Sequence, residues 1–237
     1  MLLYIIRHAD PDYDKGTITP DGHLEAEALA ALLEKQGLDK IYSSPLGRAV
    51  HTMEYTAKRL NKTYELLDWT QEITGMYQDI EGIGTVAPFN VPGEFILHEE
   101  PFPTHDNWAQ NQFFRNNEQL MAKIAQIRQG SDDLLEAHGY KREGGRYNCL
   151  KPNKHKVAVF CHGGLGVTWL AHLLQIPISI AWSSFWLAPS SVTVLLMDQR
   201  TEKWAVPRCI ELGATSHLHK SDLPVKLRGI PANLFEE

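Results

Sequence analysis

The apolar pattern is strongest at the start of the chain. Leu2-Leu3-Tyr4-Ile5-Ile6 runs without a polar break into Arg7-His8. An unbroken apolar run of this length reads as a strand buried on both faces. Thr19-Pro20-Asp21-Gly22 then has the form of a helix start, with Thr19 as N-cap and Pro20 at the first helical position. Leu24, Ala28, Ala31 and Leu32 supply the expected apolar stripe, and Gly37 is placed to end the helix. Asp39 to Ser43 predicts a short strand. A second helix starts at Ser44-Pro45, with Leu46, Ala49, Val50, Met53, Ala57 and Leu60 at helical spacing and Arg48 in the first turn. A short extended segment, Tyr64 to Trp69, precedes Gln71-Glu72.

From Gly75 to Pro103 the period is lost, and glycine, proline and aromatics mix. Trp108 to His138 reads as mostly helical, and Gly139 to Lys154 as a loop with a basic bias. Val157 to Cys161 is a strand that ends at His162-Gly163-Gly164, and a helix follows to Leu174. Gln175 to Ser190 reads as a long aromatic-rich connection. Val192 to Met197 and Trp204 to Ile210 are a strand pair, and the tail from Gly213 is polar without a clear period. Strands alternating with helices predict an α/β fold: a three-layer sandwich around a mostly parallel sheet. Residues 1–237 form one domain on this pattern, with 75–150 as a lid-like insert over one end of the sheet.

Composition narrows the classes of function. The formal net charge of −6 over 237 residues argues against a general nucleic-acid binder. The three cysteines, Cys149, Cys161 and Cys209, have no metal-like spacing and suit free thiols in a reducing compartment. The first apolar run is too short for a signal peptide and has no basic region before it. Leu165 to Trp186 carries too many polar residues for a membrane span. A cytoplasmic protein without membrane or nucleic-acid partners is expected; the oligomeric state is open.

Four features fall at strand ends or helix starts: Arg7-His8, Ser43-Ser44-Pro45-Leu46-Gly47-Arg48-Ala49, Glu72 and His162-Gly163-Gly164. The ends of parallel strands are where open α/β sheets bind ligands. Arg48 is unusual, because a cation in the first turn of a helix is disfavoured unless an anion is present. With these features the chain resembles the histidine phosphatase superfamily, which includes the cofactor-dependent phosphoglycerate mutases. The resemblance covers residues 1–75 and 155–198 and extends to Thr19-Pro20-Asp21-Gly22 and Thr52. Ala9 stands where the family usually has glycine, and Gln71-Glu72-Ile73-Thr74 matches loosely.

The resemblance implies a phosphatase acting on a small phosphorylated metabolite through a phosphohistidine. It makes His8 the nucleophile, and Arg7, Arg48 and His162 the phosphate ligands. Glu72 is the proton donor, with Asp79, Glu81 and Glu99 as rivals. No metal and no other cofactor is implied, because two arginines and His162 neutralise the phosphate. A phosphoglycerate mutase-type phosphotransferase shares the first half-reaction. A non-catalytic phosphate- or phosphoprotein-binding module is the reading from another class, and the presence of both His8 and His162 argues against it.

Other residues carry two readings. Asp10 either lines the pocket or caps a turn. Tyr77, Phe89, Phe95, Trp108, Phe113 and Phe114 either line a substrate cavity or, as the plainer expectation, form the insert's own core. Lys141, Arg142 and Arg146 are either solvated or reach over the pocket to hold a second anionic group. The remaining histidines read as surface or packing residues, and Cys161 as packing.

Overall fold

The computed structural model describes residues 1–229. Its first third holds β1 (Leu2–Arg7), β2 (Pro11–Asp12), β3 (Thr17–Ile18), α1 (Pro20–Gln36), β4 (Lys40–Ser43), α2 (Gly47–Leu60) and β5 (Glu65–Leu66). The middle holds β6 (Gln78–Ile80), β7 (Gly84–Val86), α3 (Gly93–Leu97), α4 (Glu118–Ala137), β8 (Tyr140–Glu143) and β9 (Arg146–Cys149). The last third holds β10 (Lys156–Cys161), α5 (Gly163–Leu174), α6 (Ile178–Ser184), β11 (Val192–Gln199), β12 (Trp204–Ala214) and α7 (Ser216–Lys220).

One eight-stranded sheet runs in the order β5-β4-β10-β1-β11-β12-β9-β8. Strands β5, β4, β10 and β1 are mutually parallel, and they form the helix-flanked part of the sheet. Strands β11, β12, β9 and β8 extend it antiparallel beyond β1. The run Leu2 to Ile6 is continuous because both of its faces are covered. Leu3 and Ile5 point into a core shared with Leu120, Ile124, Leu165 and Trp169 of α4 and α5. Tyr4 and Ile6 point into a core shared with Leu29, Leu33 and Met53 of α1 and α2. The expected α/β three-layer sandwich follows from that double burial. No helix among the described residues is long and apolar enough to cross a membrane.

The start of α1 is as expected: Thr19 accepts the Gly22 N–H, and Gly37 caps the other end. The buried face is not. It carries Gly22, Glu25, Ala26, Leu29, Ala30 and Leu33, whereas Leu24 is 57% exposed. The apolar stripe expected at Leu24, Ala28, Ala31 and Leu32 is one residue off. A glutamate occupies the buried face because its Oε2 accepts the Asp10 N–H at 2.9 Å.

Three other segments differ from expectation. The helix expected from Trp108 begins only at Glu118, where Asn117 caps it by accepting the Leu120 N–H. Upstream, Asn111 accepts the Phe113 N–H with its side chain, which competes with a helical backbone. Gln175 to Ser190 contains α6. The loop expected over Gly139 to Lys154 is the β8–β9 hairpin, which pairs with β12 at the sheet edge. Its two-residue Gly144-Gly145 turn has Gly144 at φ 64°, the geometry that hairpin turns require. The irregular excursion is therefore confined to residues 71–117. The polar tail holds α7 and then returns toward β1; residues 230–237 lie outside the described residues.

Burial pushes the Glu25 carboxyl up to about 7 from 4.5, the nearby Asp10 charge adds to this, and the Asp10 N–H opposes it. The folded state thus keeps this proton to a higher pH than the unfolded chain. Its stabilising contribution is full below about 4.5 and is lost as pH rises through about 7. Glu25→Gln keeps an acceptor for Asp10. It should match the wild-type Tm near about pH 5 and exceed it by roughly a few degrees near about pH 8. Thermal unfolding of both proteins across that range checks this; a Tm difference independent of pH contradicts it.

Candidate active site

Strand register brings the site residues together. Arg7 pairs with Cys161 at the ends of parallel β1 and β10, so the next residues, His8 and His162, emerge side by side. Their ring centroids are 5.1 Å apart. On the far side of β10, Phe160 pairs with Ser43, which places Ser44 next in line. The His8 N–H donates to Cys161 O at 2.9 Å, and the Ser44 N–H to Phe160 O at 2.8 Å, so each crossover begins from a fixed backbone.

His8 is 2% exposed. Its Nδ1 lies 2.7 Å from Ala9 O, an acceptor only, so Nδ1 carries the hydrogen. Arg48 Nε donates to His8 Nε2 at 3.2 Å, which requires a lone pair there. The two contacts define one neutral tautomer. Burial pushes this imidazole well below its ordinary 6.5; the Arg7 charge adds to the effect, the Ala9 carbonyl opposes it, and the Arg48 charge adds further.

His162 is fully buried. Its Nε2 shares a hydrogen bond of 2.8 Å with Ser44 Oγ, and its Nδ1 has no protein partner among the described residues. Burial again holds it well below 6.5, with His8, Arg48 and Arg7 adding. Burial and the neighbouring cations thus favour the neutral imidazole where no anion adjoins it.

The guanidiniums enclose the imidazoles. Arg7 is buried and donates through Nη1 to Leu187 O and, at 3.1 Å, to Arg228 O; its Nε is unpartnered. Burial lowers its pKa. A Cβ at Gly163 would come within 3.3 Å of the Arg7 guanidinium, a tight contact that would make the group give by a few tenths of an ångström. Arg48 stands in the first turn of α2, whose start has no acidic residue and no side-chain cap. That helix end offers uncompensated N–H groups toward an anion. Thr52 ties α2 to the end of β1: it accepts the Ala9 N–H at 3.0 Å and donates to Arg48 O at 2.7 Å.

Glu72 reaches the same place from the loop after β5. Its Oε1 accepts the Leu165 N–H at 2.7 Å and the Ile73 N–H at 3.0 Å. Its Oε2 accepts only the Gly164 N–H, at 3.1 Å. His162 occupies the N-cap position of α5 without capping it by its side chain. Glu72 supplies the cap instead, and that function fixes the carboxylate at the cavity wall.

A cavity of about 300 Å³ opens in front of these groups, with Arg7, Arg48, Glu72, Gly163 and Gly164 at its floor. Of the five residues expected at the site, Arg7, Arg48 and Glu72 line the cavity, and His8 and His162 are buried beside them, His8 bonded to Arg48 and 5.1 Å from His162 ring to ring. The rival donors lie elsewhere: Asp79 accepts from Thr85 in the β6–β7 hairpin, Glu99 accepts from Asn111, and Glu81 lies at the hairpin turn. The aromatics divide. Tyr77 and Phe89 line the cavity, while Trp108 and Phe114 pack on Trp182, and Phe95 packs on Phe113. Cys161 is a buried packing residue whose thiol burial pushes up. The basic cluster does not line the cavity; Lys141 and Arg146 are exposed, as the plainer reading expects, and Arg142 is half-buried. Lys141 pairs with Glu136 and Arg142 with Asp132, and Arg146 stacks 3.5 Å over Trp204.

Asp10 is a strut. It accepts from Thr19 Oγ1 at 2.8 Å and from Arg228 Nε at 2.7 Å. Burial pushes its carboxyl up, but the Arg228 and Thr19 bonds outweigh that and hold it below its usual value. Arg228, Ser190 and His217 are the contributors that the sequence pattern missed. Ser190 takes a left-handed φ of 55° and donates its N–H to His8 O at 3.0 Å. Its hydroxyl contacts buried His217 of α7 at 3.1 Å. No periodicity marks such a support. A serine at positive φ has no signature in sequence, and Arg228 lies in a stretch that reads as plain polar tail.

Comparison with known proteins bears on the fold and the family. No curated protein sequence matches the chain. Solved structures share the fold. One is phosphoserine phosphatase from Entamoeba histolytica in complex with 3-phosphoglyceric acid, 20% identical, covering 92% of this chain and 98% of its own, with TM-score 0.60. Another is the mycobacterial glucosyl-3-phosphoglycerate phosphatase, 18% identical over 90% and 99%, with TM-score 0.57. A third is the alpha-ribazole phosphatase from Shigella flexneri, 18% identical over 90% and 96%, with TM-score 0.58. The model of the histidine phosphatase superfamily (branch 1) matches residues 3–209, and the chain belongs to that superfamily.

Proposed function

We propose that this protein is a phosphatase that hydrolyses a phosphate monoester of a small metabolite through phosphorylated His8. The observation that carries the proposal is the state of His8. Its Nδ1 is tied to Ala9 O, its Nε2 lone pair accepts from Arg48, which lines the cavity with Arg7 and Glu72, and its ring lies 5.1 Å from that of His162. The names of the three structural neighbours, all phosphatases, support hydrolysis over transfer to a second substrate oxygen.

In the first half-reaction Nε2 of His8 attacks phosphorus, and the bond from phosphorus to the ester oxygen breaks. Glu72 gives its proton to the departing oxygen. Its Oε2, which accepts a single backbone N–H, is the oxygen with room for that proton. In the second half-reaction Glu72 takes a proton from water, the water oxygen attacks phosphorus, and the bond to Nε2 breaks. Phosphate leaves and neutral His8 is restored.

The protein's positive charge does the stabilising. Phosphoryl transfer spreads charge over the non-bridging oxygens. Arg7 and Arg48 supply forked donors to them, and α2 adds its open start. His162 Nδ1 is the remaining donor once it takes up a proton. A bound dianion reverses the balance by which burial and the neighbouring cations keep His162 neutral. No metal ion enters these steps.

The proposal is tested with p-nitrophenyl phosphate and no added metal. The wild type should turn over, and His8→Ala should lose about 10³-fold or more. Activity undiminished in His8→Ala contradicts the mechanism. Glu72→Gln separates donation from capping, because the amide keeps an acceptor for α5 but has no proton to give. It should slow an alkyl ester by about 10²–10⁴-fold and p-nitrophenyl phosphate far less, since nitrophenolate leaves without help. Equal slowing of both esters assigns the donor elsewhere.

A further inference from the structure

Beyond the phosphate-facing groups the cavity changes character. Its wall is built from Tyr77, Phe89, Trp182, Phe185 and Trp186, with Val167 and Leu187 between them. Three different parts of the chain supply these rings: the excursion 71–117, α6, and the segment after α6. Phe89 packs against α5, so close that a Cβ at Gly164 would stand 2.4 Å from its ring. Glycine at 164 is thus what admits this aromatic wall next to His162. Thr74 and Asn90 add neutral polar side chains.

Among the described residues the cavity's only cations are Arg7, Arg48 and Arg228. Arg7 and Arg48 are the phosphate-facing pair. Arg228 is bound to Asp10 by Nε at 2.7 Å and Nη2 at 3.4 Å. The cluster of Lys141, Arg142 and Arg146, the sequence's other candidate for a second anion site, is paired or stacked elsewhere. Among the described residues the one carboxylate in the wall is Glu72. A substrate carboxylate entering this space would meet aromatic faces and a like charge, and would lose its water without a cationic partner.

We propose that the ester group of the substrate is aromatic or bulky and apolar, held by the wall of Tyr77, Phe89 and Trp186, and that monoesters carrying a carboxylate are rejected. This rests on the phosphatase reading of the same cavity. The size suits it: about 300 Å³ is at the lower end of small-molecule sites and accommodates a phosphate with one ring beyond it. Stacking on rings and apolar burial, with neutral contacts at Thr74 and Asn90, are the interactions this wall offers.

The test uses monoesters of primary alcohols, so that the leaving group's chemistry is nearly constant: 2-phenylethyl phosphate, ethyl phosphate, glycerol 3-phosphate and O-phosphoserine. For 2-phenylethyl phosphate kcat/KM should exceed that of ethyl phosphate by at least about tenfold, with phosphoserine lowest. Tyr77→Ala, at a side chain already 57% exposed, and Phe89→Ala should each pull the phenylethyl-to-ethyl ratio toward one. Hydrolysis with equal kcat/KM for all four esters, or with phosphoserine preferred, overturns the inference and leaves the phosphatase reading intact. Calorimetry with 2-phenylethylphosphonate and ethylphosphonate reads the wall without turnover. Tighter binding of the phenylethyl compound by wild type but not by Phe89→Ala supports the inference even if no ester is hydrolysed, in which case the phosphatase reading fails alone. Equal binding of the two phosphonates overturns the inference.

Discussion

Among the described residues, four basic side chains share one largely buried space with a single carboxylate, and that imbalance governs the rest of the structure. Arg7 and Arg48 stay charged, because a guanidinium gives up its proton only far above neutral pH. The imidazoles of His8 and His162 then give way: burial and the neighbouring cations hold both neutral. Neutrality leaves His8 a basic lone pair, which accepts from Arg48, and the bond to Ala9 O decides which nitrogen carries it. The set is complementary to a dianion, whose charge satisfies the guanidiniums and allows His162 its proton. Nucleophile and phosphate site thus have the same electrostatic origin.

Holding like charges together requires a stiff frame, and the sheet supplies it. Parallel register places His8 beside His162 at the ends of two strands buried on both faces. Thr52, Ser190 and Glu72 each tie a catalytic segment to a neighbouring element through backbone groups. Asp10 extends the frame outward through Arg228, which brings the tail's backbone carbonyl onto Arg7. Glu72 illustrates the economy of the design, because the bonds that cap α5 also aim the carboxylate across the cavity.

Much of this was legible in the sequence, and the limits were physical. The run Leu2 to Ile6 and the strand at Val157 to Cys161 were clear because both faces of each are buried. Arg7, His8 and His162 stand out only in combination, at strand ends and through the resemblance to the histidine phosphatases, and Arg48 because a cation opening a helix is disfavoured without an anion. The buried face of α1 was misjudged because Glu25 is a carboxylate satisfied by a backbone N–H, which no polarity pattern encodes. The β8–β9 hairpin was hidden by its polar residues, Lys141, Arg142, Glu143, Arg146 and Asn148, on an edge that faces water; the Gly144-Gly145 pair was the available clue. Arg228 and Ser190 act through tertiary contacts alone, and their neighbours in sequence say nothing of them.

The central claim is that Nε2 of His8 accepts the phosphoryl group. Rapid quenching with a slow phosphate ester in alkali preserves a phosphoramidate, and mass spectrometry then locates it while phosphorus NMR of the denatured chain distinguishes the two ring isomers. The account predicts stoichiometric phosphate on His8, attached at Nε2. Phosphate on Nδ1 of His8, on His162, or on no histidine during active turnover would contradict it.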